Sequence, residues 1–175
     1  QEALAEAVAL AKASDIVIFV GGLNHDFDVE GLDRVNMKLP YGQDEVIDAL
    51  LKAVPDTVVC MYAGAPVEMP WAEKAKAILW SYYAGMEGGT ALAEILSGKV
   101  NPSGKLAETF IRDASQCPAH TIGTFGKKDR VEYREGVMVG YRYYDTKKQD
   151  VMFPFGHALS YTAFTYNDLE IIRQQ

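Results

Sequence analysis

The sequence predicts an α/β fold: an open, mostly parallel sheet with helices on both faces. Three observations carry this. Short apolar runs at 15–20, 57–62 and 77–81 alternate with stretches of helical period at 2–13, 43–53 and 90–96, the order that builds parallel sheets. The first run is β-branched or aromatic after Asp15 and does not alternate with polar residues, which fits a strand covered on both faces. The runs empty into loops rich in glycine and charge, where open α/β sheets gather their ligands.

Taken in order, the alanine-rich stretch 2–13 places Leu4, Val8 and Ala11 at helical spacing and ends at Ser14-Asp15. The strand 15–20 follows, and Gly21-Gly22 is expected to turn the chain sharply. An acidic loop leads through Leu39-Pro40 to a helix over 43–53. Val46, Ile47, Leu50 and Leu51 form its apolar stripe, with Asp44, Glu45 and Asp48 outward near its N-terminus. Strand 57–62 completes a βαβ unit, whose crossover is right-handed in nearly all cases. A short helix at 71–74, a strand at 77–81, the glycine-rich turn 82–89 and a helix at 90–96 stopped by Ser97-Gly98 come next. Beyond Asn101 the pattern changes: 105–110 reads as a strand, 111–134 as a long surface excursion without period, and 163–172 as an alternating strand. The expected division is a sandwich domain over 1–162, lacking its start, and the first strand or linker of a following domain over 163–175.

The 175 residues suffice for one well-packed core. With 49% hydrophobic and 23% charged residues, composition argues for an ordinary globular domain. A formal net charge of -7 opposes nucleic-acid binding, since cationic side chains supply most non-specific affinity for phosphate. No apolar run reaches membrane-spanning length, so a soluble protein is expected, with a periplasmic or secreted location compatible and none assigned. Cys60 and Cys117 define neither a disulfide framework nor a zinc site, and no cofactor or metal is expected.

The chemistry concentrates between Asp15 and Pro40, where Asp26, Asp28, Glu30 and Asp33 share one loop. A calcium loop counted from Asp26 fails, because its ninth and twelfth positions fall on Arg34 and Met37. A dinucleotide site fails too: no helix follows Gly21-Gly22 at once, and the acidic loop would repel phosphate. Glu30 is the candidate general acid, because flanking carboxylates would raise its pKa and keep a proton available for a leaving oxygen. Asp28 and His25, on the same loop, are the candidate substrate-binding residues. Glu87 reads as a carboxylate balancing the dipole of the helix after it, and Glu135 lies away from any identifiable strand end. Trp71, Trp80, Tyr82 and Tyr83 offer flat faces for sugar stacking, though aromatics at strand ends more often pack the core. A non-catalytic carbohydrate-binding module and a nucleotide-binding module are the competing classes.

Five segments, in order along the chain, carry a family resemblance. They are Glu30-Gly31-Leu32-Asp33-Arg34 with Leu39-Pro40 and Gln43; Tyr83-Ala84-Gly85-Met86-Glu87-Gly88-Gly89; Asn101-Pro102-Ser103-Gly104-Lys105-Leu106 before Thr109-Phe110; Tyr133-x-Glu135-Gly136 with 139–145; and 153–161. Together they resemble the α/β-sandwich domain of glycoside hydrolase family 3, the β-glucosidases and β-xylosidases, with Ala158 standing where the family usually has glycine. The resemblance implies a retaining exo-acting β-glycosidase hydrolysing an oligosaccharide or aryl β-glycoside. Its nucleophilic Asp belongs to a (β/α)8 barrel absent from this chain, and Glu30 matches the family's acid/base. It also implies that the chain alone is inactive, and that 163–175 leads toward a fibronectin-III-like domain.

Overall fold

The computed structural model describes residues 2–126 and 129–173. Its centre is a parallel sheet of three strands in the order β1-β2-β3: β1 (Ile18–Gly22), β2 (Val58–Tyr62) and β3 (Ala77–Trp80). Five helices accompany it: α1 (Glu2–Lys12), α2 (Gln43–Ala53), α3 (Gly88–Leu96), α4 (Pro118–Thr121) and α5 (Tyr141–Lys147). The expected alternation of strand and helix holds through α3, and α2 occupies the residues its apolar stripe predicts.

Residues alternate between the faces of a strand, so β2 sorts the layers. Val59 and Met61 are fully buried beneath Ile47 and Leu51 of α2, in a core that also takes in Trp71 and Phe110. Tyr62 points to the opposite face, where its ring lies against the start of α3 at Gly88. Helices therefore flank the sheet on both sides, and α1 packs beside α2.

The glycine pair departs from expectation. It ends β1 rather than turning the chain: Gly21 and Gly22 pair with Met61 and Tyr62. The reason is steric. Gly22 has φ +139°, and a Cβ there would lie 1.8 Å from the Tyr62 carbonyl oxygen, while one on Gly21 would lie 2.4 Å from Gln43 Oε1. The Gln43 amide fills the space the missing side chains leave. Its Oε1 accepts from Gly22 N (2.8 Å) and its Nε2 donates to Gly22 O (2.9 Å), so the first residue of α2 closes the end of β1.

Other expectations fail for equally local reasons. Strand β1 starts at Ile18 instead of Asp15, and one face of it is open: Ile18 is 44% and Val20 57% exposed. Asp44 does not face outward. Its carboxylate accepts from the indole of buried Trp71 (2.8 Å). Residues 105–110 form no strand, only a bridge between Phe110 and Phe153, because the chain pairs with 153–157 at its two ends and not between them. The excursion 111–134 folds back through two short helical segments, Ala114–Gln116 and α4, and buries Ile111 and Pro118. Residues 163–172 form no strand; they are exposed and have no neighbour among the described residues to complete a ladder. No helix of the described residues is long and apolar enough to cross a membrane.

The closure of β1 makes a direct prediction. Gly22→Ala should destabilise the fold by at least about 3 kcal/mol, and Gln43→Ala by about 1–3 kcal/mol for its lost hydrogen bonds to Gly22 and Pro40. Urea unfolding measures both, and a wild-type midpoint for Gly22→Ala would contradict the close approach.

Candidate active site

The loops after the three strands emerge at one edge of the sheet. The first, from Leu23 to Pro40, is braced from within. Asn24 Oδ1 accepts from Asp26 N (3.1 Å), Tyr41 donates to Asp26 Oδ2 (3.0 Å), and the rings of Phe27 and Tyr41 meet edge to face at 5.2 Å. Val29 and Leu32 bridge in antiparallel fashion, so Glu30-Gly31 is the tip of a tight turn. Gly31 has φ +81°, the positive value demanded at the third position of a type II turn. The Glu-Gly dipeptide is thereby explained: glycine makes the turn, and Glu30 is carried exposed at its tip.

Two anchors bracket this turn, and both reach the loop after β2. On the N-terminal side, half-buried Asp28 accepts through Oδ2 from the Tyr83 hydroxyl (2.7 Å) and from Gly64 N (3.3 Å). Tyr83 lies just beyond β3, so one carboxylate oxygen joins the loops of all three strands. Burial and the Asp28 hydrogen bond both raise the Tyr83 pKa, which keeps its proton in place to donate. A Cβ on Gly64 would fall 2.8 Å from the Tyr83 ring and 3.1 Å from Asp28 Oδ2, so only glycine admits the junction. On the C-terminal side, Arg34 Nη2 donates to Pro66 O (2.9 Å), and Glu68 N donates to Met37 O (2.8 Å).

Behind the loop lies a cavity of about 470 Å³ that brings Asp33 and Arg34 together with Glu108, Glu135, His120 and Tyr144. Three buried polar atoms there, Arg34 Nη1, Thr109 Oγ1 and Glu135 Oε2, have no hydrogen-bond partner among the described residues. Burial pushes the Glu108 carboxyl up, against the opposing pull of Arg34, and it pushes the Tyr144 phenol up to about 12.

Of the residues the sequence singles out, Glu30, Asp28 and His25 share the first loop, with His25 exposed. Glu87 stands at the N-cap position of α3 and accepts from the Thr90 hydroxyl (3.1 Å), in keeping with a helix-end carboxylate. Trp71 is core, and Trp80 packs edge to face on Phe110 and Tyr82, so neither presents a free face. Glu135 joins the cavity from a remote stretch of sequence. Sequence reasoning offers Tyr83 as a stacking face and has Arg34 inside a quoted motif, but it does not foresee the hydrogen bonds by which Tyr83, Gly64 and Arg34 brace the loop. No group of three or more His, Cys, Asp or Glu able to hold a metal occurs among the described residues.

Residues 1–161 match the family model described as the glycosyl hydrolase family 3 C-terminal domain. The chain belongs to glycoside hydrolase family 3. Among its family 3 relatives, "Thermostable beta-glucosidase B" of Acetivibrio thermocellus is 46% identical over 171 residues, which span 98% of this chain and 22% of the relative. "Beta-glucosidase BoGH3A" of Bacteroides ovatus is 48% identical over 167 residues, covering 93% of this chain and 22% of that protein. The crystal structure of a β-glucosidase from Kluyveromyces marxianus in complex with glucose superposes with a TM-score of 0.89 at 41% identity, covering 93% of this chain and 19% of that one. This family 3 chain thus spans about a fifth of the length of the relatives it matches.

The raised Glu108 pKa gives a test of the cavity. A carboxyl whose folded pKa exceeds its unfolded value loses stability as pH rises through the unfolded pKa toward the folded one, because the unfolded chain ionises first. Glu108→Gln removes that loss. Its melting temperature should match wild type at about pH 3 and exceed it at about pH 7. A variant less stable at neutral pH than in acid, relative to wild type, would show that the Arg34 attraction outweighs burial.

Proposed function

We propose that this chain is the acid/base-bearing part of a retaining β-glucosidase, acting on terminal β-linked sugars of an oligosaccharide or aryl β-glycoside. The observation that carries the reading is Glu30. It is an exposed carboxyl at the tip of a braced turn, at the carboxyl edge of a parallel sheet, in the segment that resembles the family's acid/base motif. The relatives named above as β-glucosidases support the substrate class.

In this reading a nucleophilic Asp on a (β/α)8 barrel of the same enzyme attacks the anomeric carbon while Glu30 protonates the departing glycosidic oxygen. Glu30, now a carboxylate, then takes a proton from the water that releases the sugar from the Asp. A retaining pair needs its carboxyls roughly 5 Å apart, so Glu30 has to project toward the barrel, as the tip of an exposed turn allows. Asp26 is committed to Tyr41 and Asp28 to the Tyr83 hydroxyl, so of these three carboxylates Glu30 is the one left to face a substrate. His25, exposed on the same loop, is the residue we assign to sugar hydroxyls. The chain alone lacks a nucleophile and turns over no glucoside. By the family resemblance, the segment from residue 163 on leads toward a fibronectin-III-like domain.

The test is leaving-group dependence in the full-length enzyme, read from kcat/KM, which reports the first chemical step. Glu30→Gln should lower kcat/KM for cellobiose by roughly 100-fold or more and for a dinitrophenyl β-glucoside by only a few-fold, since an activated aryl oxygen departs without a proton. Equal losses on both would make Glu30 a structural residue. Turnover of a nitrophenyl glucoside by the isolated chain would overturn the divided site.

A further inference from the structure

We infer that Asp28 is a positioning residue for Glu30, acting with Tyr83 and Gly64 as a clasp that sets where the acid/base turn stands over the sheet edge. The inference rests on the reading of Glu30 as the acid/base and deepens it. Asp28 is separated from Glu30 by a single residue, Val29, which begins the turn. On its inner side Asp28 Oδ2 takes hydrogen bonds from the Tyr83 hydroxyl at 2.7 Å and from Gly64 N at 3.3 Å. Both donors belong to strand-end loops whose own places are set by β2 and β3. Asp28 N also donates to Asn24 O (2.9 Å), so backbone and side chain of this residue are both committed.

The geometry separates Asp28 from its acidic neighbours. Asp26 and Glu30 are exposed, and the Asp26 contacts stay within the segment from Asn24 to Tyr41. Asp28 alone of the three reaches the other two loops. A glycosidic oxygen must be met within hydrogen-bond reach, and a displacement of about 1 Å at a reacting group costs on the order of 100-fold in rate. A turn held at one side only, by Arg34 on Pro66, would swing about that contact. Asp28 is thus expected to govern proton delivery without touching the sugar.

The experiment compares Asp28→Ala, Asp28→Asn and Tyr83→Phe in the full-length enzyme on cellobiose and on a dinitrophenyl β-glucoside. Glu30→Gln runs beside them, with melting temperatures recorded for all. Asp28→Ala should lower kcat/KM for cellobiose roughly 10- to 100-fold and leave the dinitrophenyl substrate within a few-fold. Asp28→Asn, which keeps an oxygen for both donors, should retain most of the cellobiose activity. Tyr83→Phe should show the same leaving-group signature in weaker form, and adding it to Asp28→Ala should cost little more, since the two groups share one interaction. Should Asp28→Ala prove unfolded, Tyr83→Phe decides alone. Equal losses on both substrates, or a KM rise on both that Asn does not relieve, would overturn the inference and make Asp28 structural or sugar-binding. If Glu30→Gln itself lacks the signature, the acid/base reading fails; if Glu30→Gln shows it and neither Asp28→Ala nor Tyr83→Phe does, only the clasp fails.

Discussion

One carboxylate oxygen holds the working edge of this domain together. Asp28 Oδ2 is the point where the loops following β1, β2 and β3 meet, through the Tyr83 hydroxyl and the Gly64 amide. Hydrogen bonds to a charged acceptor contribute about 1.5–3 kcal/mol each when shielded, and Asp28 is half-buried, so the junction is worth less than that limit. Its importance is geometric. Strand ends are fixed by the sheet, loops are not, and a single acceptor shared by two donors converts three independent loops into one platform.

The platform explains why so many carboxylates occupy one short stretch. Asp26 braces the loop against Tyr41, Asp28 joins it to the neighbouring strands, and Glu30 stands free at the tip. A metal is not needed to reconcile them, because two of the three are occupied by donors. Close approach is the companion constraint. Gly22 lies against the Tyr62 carbonyl, Gly64 against the Tyr83 ring, and Gln43 fills the gap left at Gly21-Gly22. Each is a place where a side chain would push a loop away from the edge.

Much of this was legible in the residues. The alternation of apolar runs with helical stripes gave the parallel order, and the stripe of Val46, Ile47, Leu50 and Leu51 marked α2 to its ends. Glu30 could be singled out as a carboxyl on the acidic loop beyond a strand end, and the five ordered segments pointed to the family. What local pattern could not show was long-range. Gly21-Gly22 looks like a turn signal whether the glycines bend the chain or let Tyr62 and Gln43 come close. Ile18 and Val20 read as buried because they are apolar, yet burial depends on what the rest of the chain lays over them, and both are exposed. Asp28 and Tyr83 lie 55 positions apart, a separation no periodicity encodes. The strand expected at 163–172 alternates correctly but has nothing to pair with among the described residues.

The central claim is that Glu30 donates and later removes the proton at a retaining site. The most direct measurement is the product formed when Glu30→Ala, in the full-length enzyme, turns over an activated aryl β-glucoside in the presence of azide. Without its base the glycosyl-enzyme accumulates, and the small anion attacks it from the face Glu30 formerly served. The account predicts accelerated turnover and a β-glucosyl azide. An α-glucosyl azide would assign Glu30 to the nucleophile's face, and an absence of any azide product or rate gain would remove it from the chemistry.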